Sequence, residues 1–372
     1  GLQIGSFFAT MGIASLFMPA VMGIIADRWI PAQRLLGLCH LFAAGFITLA
    51  ATRTDYNSLY TLVLLSVMFY MPTIALSNSV AYNALEKAGL DTVTHFPPIR
   101  VWGTVGFICA MWVVDLGKMG LSATQLYFSA TLGLILGLYS FTLPNCPINR
   151  SGGGKSIVDL LGLRAFALFK QRKMAIFFIF SMLLGMSLQI TNAFADGYIK
   201  SFGDTGIHGA KYLGTFGVEH STILISLSQI SETLCILLIP FFLKRFGIKR
   251  VMLIAMFAWV LRFALLGAGN PGPGVWMFIL SMIVYGVAFD FFNISGSLFV
   301  EKETSAAIRS SAQGVFMIMT NGLGALIGSY LAGWVVNHYG WPLSWYLFAG
   351  FSLVVAIVFA VIFKYKHDPN RI

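Results

Sequence analysis

The sequence predicts an all-α polytopic membrane protein, on three observations. Hydrophobic residues fill 58% of the 372 positions and charged residues only 10%, against roughly 25% charged in an ordinary soluble domain. Uncharged runs are long, covering 1–26, 56–85 and 119–149. The basic residues are gathered in short stretches between such runs. A soluble globule could not cover this much apolar surface, and a disordered chain needs low hydrophobicity. The net charge of +10 does not point to nucleic acid, because the cations form no continuous basic surface.

Helices are expected rather than a barrel. A membrane strand needs only ~10 alternating residues, and these runs are longer and apolar on every side. A helix needs ~20 residues to cross ~30 Å of hydrocarbon and satisfies its own backbone there. In chain order the spans are read as 4–26, 35–52, 58–85, 100–114, 122–143, 174–195, 221–243, 251–268, 275–300, 311–337 and 341–363. The first begins before any charge. The second follows Arg34. The fourth opens at Arg100, directly after Pro97-Pro98. The seventh and eighth flank the basic turn Lys244–Arg250. The tenth carries Gly324 and Gly328, a small-xxx-small pair for close packing.

Assigning the loops alternately to two sides puts nearly all the excess charge on one. That side holds 27–34, 86–100, 150–173, 244–250, 301–309 and 364–372, and is read as cytoplasmic. The C-terminus is then inside and residue 1 outside. The first residue is Gly and the first span starts at once, without a basic leader or cleavage site. One preceding helix is therefore expected, giving twelve spans of which eleven are present. The expected organisation is an N-terminal bundle over 1–144, a cytoplasmic linker over 145–173 and a C-terminal six-helix bundle over 174–372. In the linker, Asp159–Lys170 reads as an amphipathic helix on the membrane surface. Three of the four cysteines lie in spans and Cys146 in a basic loop, so no disulfide framework is expected.

Enzyme chemistry has no foothold. Gly154-Lys155-Ser156 imitates the end of a phosphate loop, but Asn149 stands where its first glycine belongs. No zinc-ligand spacing and no Gly-x-Ser-x-Gly occurs, so no metal or cofactor is expected.

The informative residues are ionisable groups within spans, each costing ~2.5–3.5 kcal/mol at a helix centre. Such groups face a partner or a polar cavity. Glu232 and Asp290 are near the middle of theirs, and Arg262 is expected to serve in a structural ion pair. Their neighbours follow helical spacing. Gln229 pairs with Glu232, Gln189 with Asn192, and Asp290 with Asn293 beside Tyr285 and Phe289. Arg100, Thr104 and Phe107 fall at i, i+4 and i+7. Several spans thus each present a short polar stripe with an aromatic nearby. Amides and carboxylates suit hydroxyls and base edges, and ring faces suit a planar ring. The plainer alternative is that single amides are interhelical glue worth ~0.6 kcal/mol each.

Two loops carry a resemblance. Gly23-Ile-Ile-Ala-Asp27-Arg28, running on to Arg34, resembles the Gly-x-x-x-Asp-Arg signature after the second helix of the major facilitator superfamily, though Ile30 replaces its usual later glycine. Leu243-Lys244-Arg245-Phe246-Gly247 resembles its degenerate copy after the eighth helix. Longer strings are more specific: Phe96-Pro-Pro-Ile-Arg-Val-Trp-Gly-Thr-Val-Gly-Phe107, Leu188-Gln-Ile-Thr-Asn192, Ser228-Gln-Ile-Ser-Glu232 and Tyr285-Gly-Val-Ala-Phe-Asp-Phe-Phe-Asn-Ile-Ser-Gly296. They resemble the bacterial nucleoside:proton symporters of that superfamily, over essentially the whole chain. The resemblance implies two pseudo-symmetric bundles with a central cavity in the bacterial inner membrane. It implies nucleosides and protons as partners, and no cofactor. The implied substrate site is Arg100, Thr104, Phe107, Gln189, Asn192, Gln229, Glu232, Tyr285, Phe289 and Asp290, with Glu232 or Asp290 coupling the proton. The loops bearing Asp27, Arg28, Arg34, Lys244 and Arg245 are expected to gate the cytoplasmic side, and a monomer suffices. A sugar or drug transporter of the same superfamily would share the fold, and a drug exporter would show fewer facing amides.

Overall fold

The computed structural model describes residues 1–90, 92–148, 163–208, 210–304 and 309–365, with backbone alone at some helical positions, Asp27, Arg28 and Arg100 among them. Among the described residues all regular structure is helical. The elements are α1 (Leu2–Arg28), α2 (Ala32–Ala51), α3 (Tyr56–Lys87), α4 (Thr92–Leu116), α5 (Thr124–Ser140), α6 (Arg172–Ser201), α7 (Ser221–Ala268), α8 (Val275–Glu303), α9 (Arg309–Met317), α10 (Ala325–Tyr339) and α11 (Trp341–Ile362). A π-helical stretch, Ile318–Gly324, joins α9 to α10 as one span.

A straight helix of 48 residues would be ~72 Å long, more than twice the hydrocarbon thickness. α7 cannot remain straight, and it turns at Gly247, where φ is 76° and ψ 166°. That left-handed backbone favours glycine. Its cationic flank of Lys244, Arg245, Lys249 and Arg250 holds the turn at the water interface. Counting α7 as two spans and α9–π–α10 as one gives the eleven expected.

Three boundaries differ from the sequence reading. α4 begins at Thr92, not at Arg100, and its helix runs through Pro97 and Pro98, which sequence logic treats as a boundary. α1 runs to Arg28 and α2 starts at Ala32, so Asp27 and Arg28 belong to a last helical turn and the exposed Arg34 to a first one. The side chains of Asp27 and Arg28 are outside the described residues. In the linker, Leu163–Lys170 is a 3-10 helix, and the rest of the expected amphipathic helix, with Gly154-Lys155-Ser156, is outside the described residues. Leu168 is buried in the C-terminal core and the Phe169 ring meets Phe178 at 5.2 Å. This segment therefore docks on α6, with Lys170 exposed at its end.

Two hydrophobic cores form. The smaller joins α1, α2 and α3 around Met22, Leu35, Leu36 and Leu76. Gln33 extends it by donating to Asn145 Oδ1 (2.6 Å) and accepting from Cys146 N (2.9 Å), which fastens the chain leaving α5. The larger core runs through α6–α11 and is rich in rings, with Phe177 in contact with Phe178, Phe292, Phe299 and Phe316. The four cysteines are free, in line with the sequence reading.

The bundles meet near the face opposite the basic loops. On one side α1 lies against α10, where a Cβ on Gly5 would overlap the Ser329 carbonyl oxygen and one on Gly12 would stand 2.6 Å from Leu326 N. On the other side α4 meets α7. Asp115 Oδ2 contacts His220 Nδ1 at 2.6 Å, Thr222 N donates to Asp115 Oδ1 (3.2 Å), and Trp112 Nε1 donates to Ser226 Oγ (2.9 Å).

Candidate functional site

The site is assembled around α8. Its residues 285, 289 and 293 recur every four positions and so share one helix face. Tyr285 is buried and its ring stacks on Phe289 at 5.8 Å between centroids. Trp259 of α7 meets Tyr285 edge-on at 6.0 Å. Offset and edge-on pairs of this kind stabilise by ~0.5–1.5 kcal/mol beyond area burial, so the three rings form a rigid wall.

Arg262 backs that wall and is only 1% exposed. The ion pair expected for it is not formed: among the described residues no carboxylate is within 4 Å. Its Nη1 donates to Ser281 O (2.5 Å), its Nε to Thr191 Oγ1 (3.4 Å), and its Cζ stands 4.7 Å from the Tyr285 ring centroid. Five donors and a planar charge can be satisfied by carbonyls and a ring face as well as by an acid. Arg262 therefore locks α7, α6 and α8 and orients Tyr285, leaving the carboxylates uncommitted to it.

The polar groups approach from three helices. On α6, Gln189 is buried with its Nε2 unpartnered among the described residues, and Asn192 is exposed one turn on. On α7, Gln229 and Glu232 are half-buried, and Glu232 is within electrostatic reach of Tyr285 and Asp290. On α8, Asp290 is 4% exposed, and among the described residues its Oδ2 has no hydrogen-bond partner. Buried polar groups are ordinarily paired, so an unpaired carboxylate oxygen and an unpaired amide in one bundle mark a place built to meet something else.

Two clefts open beside these groups. One, of about 20 Å³, is lined by Leu184, Gly185, Trp259, Phe289, Asn293 and Asn321 among others. The second, of about 380 Å³, is lined by Asp290, Asn293, Ile294, Ser297, Leu298, Gln313, Phe316 and Met317. Asn293 borders both. The first exists because Gly185 of α6 lets the π-helical backbone come close: a Cβ there would overlap the Thr320 carbonyl. π-turns recur at functional sites because the extra residue displaces side chains from the regular ladder. Gly324 and Gly328, expected to permit close packing, lie against Met182 O and Met186 Cα of α6.

The structure thus brings Tyr285 and Phe289 into one stack, with Glu232 and Asp290 nearby, and places Gln189 within the same bundle core. Thr104 is half-buried and Phe107 is 53% exposed on α4 of the other bundle. Among the described residues neither has a hydrogen bond or ring contact to the C-terminal set. The Arg100 side chain is outside the described residues. Lys244 and Arg245 are exposed in the last turn before Gly247, with Arg245 over the Phe246 ring at 5.9 Å. Sequence reasoning missed Trp259, Gln313, Thr320 and Asn321 as lining residues. Thr320-Asn321-Gly322 interrupts an apolar span and is the signal that could have found two of them.

Comparison with known proteins gives the family and the fold. Residues 1–368 match the family model described as nucleoside H+ symporter. The nucleoside permease NupG of Escherichia coli K12 is 50% identical over 374 residues, spanning 99% of this chain and 88% of NupG. The xanthosine permease of the same organism is 49% identical over 379 residues, spanning 100% of this chain and 90% of the permease. A crystal structure of an aspartate-to-alanine variant of the nucleoside transporter NupG is 50% identical and superposes with a TM-score of 0.93, covering 98% of this chain and 91% of that one. The protein is a multi-pass membrane protein with the major facilitator superfamily fold. The chain belongs to the nucleoside:proton symporter family.

Proposed function

We propose that this protein carries nucleosides together with protons into the bacterial cytoplasm, by alternating access between its two helical bundles. The observation that carries this reading is the meeting of an aromatic stack, Tyr285 on Phe289, with two buried polar atoms that have no partner among the described residues, Asp290 Oδ2 and Gln189 Nε2. A nucleoside offers the complement: a planar base for ring faces, and hydroxyls and base edges for amides and carboxylates.

In this reading Gln189, Asn192, Gln229 and Glu232 hold ribose hydroxyls or base edges. Phe289 and Phe107 pack on the base, Tyr285 orders that wall, and Arg100 and Thr104 reach in from the N-terminal bundle. Glu232 or Asp290 carries the coupling proton, because a carboxylate in a low-dielectric interior is stabilised by protonation. The basic face is cytoplasmic, by the excess of cations in its loops, and the C-terminus lies there too. The seams α1–α10 and α4–α7 close the outer side, so the conformation is inward-facing. Asp27, Arg28, Arg34, Lys244 and Arg245 gate the inner side. The substrate leaves chemically unchanged, and a monomer is sufficient.

The test is uptake of radiolabelled uridine and adenosine in cells lacking their own permeases, with and without a proton uncoupler. Uptake that collapses with uncoupler, and is competed by other nucleosides but not by sugars, is the expected result. No uptake of either nucleoside from a well-expressed protein would move the substrate elsewhere within the superfamily.

A further inference from the structure

On α8, Asp290, Asn293 and Ser297 fall at i, i+3 and i+7 and share one face. Seven residues of helix cover ~10 Å along the axis, from the middle of the span towards the basic face. Across from them on α9 is Gln313. It donates from Nε2 to Ser297 O at 2.7 Å and accepts from Ser297 Oγ at 3.2 Å. These residues line the cleft of about 380 Å³, whose lining includes the 4%-exposed Asp290, its Oδ2 without a partner among the described residues. The apolar walls are Ile294, Leu298, Phe316 and Met317. A cleft of this size, with Asp290, Asn293, Ser297 and Gln313 in its lining, accommodates water that finds polar partners there.

The charged surroundings are asymmetric. Within electrostatic reach of Asp290 are Glu232 of α7 and Tyr285 of α8, and Arg262 of α7 lies over the Tyr285 ring. Towards the basic face, α8 ends at Glu303, which pairs with Lys173 of α6 at 2.7 Å, and Lys302 is exposed beside it. Groups on the Glu232 side belong to the nucleoside pocket. The side of Asn293, Ser297 and Gln313 leads away from it.

We propose that this cleft is the route by which the coupling proton leaves Asp290 for the cytoplasm. This rests on the symport reading above, with Asp290 as carrier. In the step, the protonated Asp290 carboxyl gives its proton to a water in the cleft. The carboxylate remains, and a hydronium passes on towards the basic face. Asn293, Ser297 and Gln313 do not change protonation; they hold the waters in line. The Gln313–Ser297 clasp fixes the distance between α8 and α9, and so the width of the file.

The experiment uses the full-length protein in proteoliposomes, comparing Gln313→Leu with Gln313→Glu and with the double variant Ser297→Ala/Gln313→Leu. The double variant removes both partners, so the half-buried Ser297 hydroxyl is not left without its acceptor. Two rates are read: uridine accumulation driven by a pH gradient, and uridine counterflow, which needs no net proton movement. The expected result is at least a fivefold loss of accumulation in both Leu variants, counterflow within twofold of the parent, and accumulation retained by Gln313→Glu. Accumulation unchanged in the Leu variants overturns the proposal. Equal loss of both rates also overturns it, because the cleft then serves folding or the nucleoside itself. If the parent protein shows counterflow but no pH-driven accumulation, proton coupling fails and this route fails with it. If Asp290→Asn accumulates normally, the symport stands and the route from Asp290 falls.

Discussion

The two seams that join the bundles are built from different materials. Between α1 and α10 the contact is dry and glycine-based, with Gly5 on the Ser329 carbonyl and Gly12 on Leu326. Between α4 and α7 it is polar: the Asp115 carboxylate, almost fully covered, binds His220 and the Thr222 N–H at the head of a helix. The first seam is specified by shape and holds no charge of its own for salt to screen. The second rests on charge and on a helix N-terminus, which salt reaches from the side of the 30%-exposed His220 rather than of the covered Asp115. A transporter that alternates must hold this side shut and also release it. The comparison indicates that shape sets how closely the bundles can approach, while the polar seam sets how readily they part.

The largest expected effect is at the dry seam. Gly5→Val puts carbon where the Ser329 backbone already is, and overpacking of this kind costs ~1–3 kcal/mol. With a cysteine at the buried Ala9 and Cys109 replaced by serine, labelling by a membrane-impermeant thiol reagent from outside should rise about tenfold over the parent, both measured at low salt. Unchanged labelling would mean the seam is not closed by glycine packing.

Asp115→Asn should be milder, about 1 kcal/mol, because its amide oxygen still accepts from Thr222 N while the charge is lost. Its mark is qualitative: labelling at Ala9→Cys should rise with salt in the parent and become salt-independent in the variant. Retained salt dependence would place the sensitivity elsewhere. Trp112→Phe removes one neutral hydrogen bond to Ser226, worth ~0.5–1.5 kcal/mol, and should leave the salt response as in the parent.

The smallest effect tests what supports the dry seam. Tyr56 OH hydrogen-bonds Ser6 Oγ (2.7 Å) beside Gly5, and Tyr56 opens a helix capped by Asp55. The Ser58 hydroxyl and backbone N–H hold the Asp55 carboxyl below the ordinary carboxylate range. A depressed pKa stabilises the folded state above the unfolded value, about 4, and that contribution is lost as pH falls through the depressed one. Thermal stability of the purified protein should therefore drop more steeply below about pH 4 than that of Asp55→Asn. Parallel curves would remove Asp55 from this role.

Much of the fold was legible because hydropathy registers burial in lipid directly. The spans at 35–52, 58–85 and 341–363 were placed within a few residues of α2, α3 and α11. The start of α4 was hidden because Pro97-Pro98 reads as a stop, yet the helix continues through it. The turn inside α7 was visible in the basic run around Gly247. At the site, spacing marked Tyr285, Phe289, Asp290 and Glu232, since a short polar stripe in an apolar helix is conspicuous. It did not reveal that Arg262 faces a ring rather than an acid, because sequence gives a charge but not the partner that folding puts against it. Nor did it give the π-turn that brings Thr320 and Asn321 to the cleft, since local composition does not encode a one-residue slip in helix register.

The most direct test of coupled transport is proton movement itself. The purified full-length protein would be placed in proteoliposomes loaded with a pH-sensitive dye, and uridine or adenosine added outside with no imposed gradient. The account predicts acidification of the lumen that begins with nucleoside addition, scales with nucleoside taken up and is absent in empty vesicles. Nucleoside entry without any acidification would contradict it.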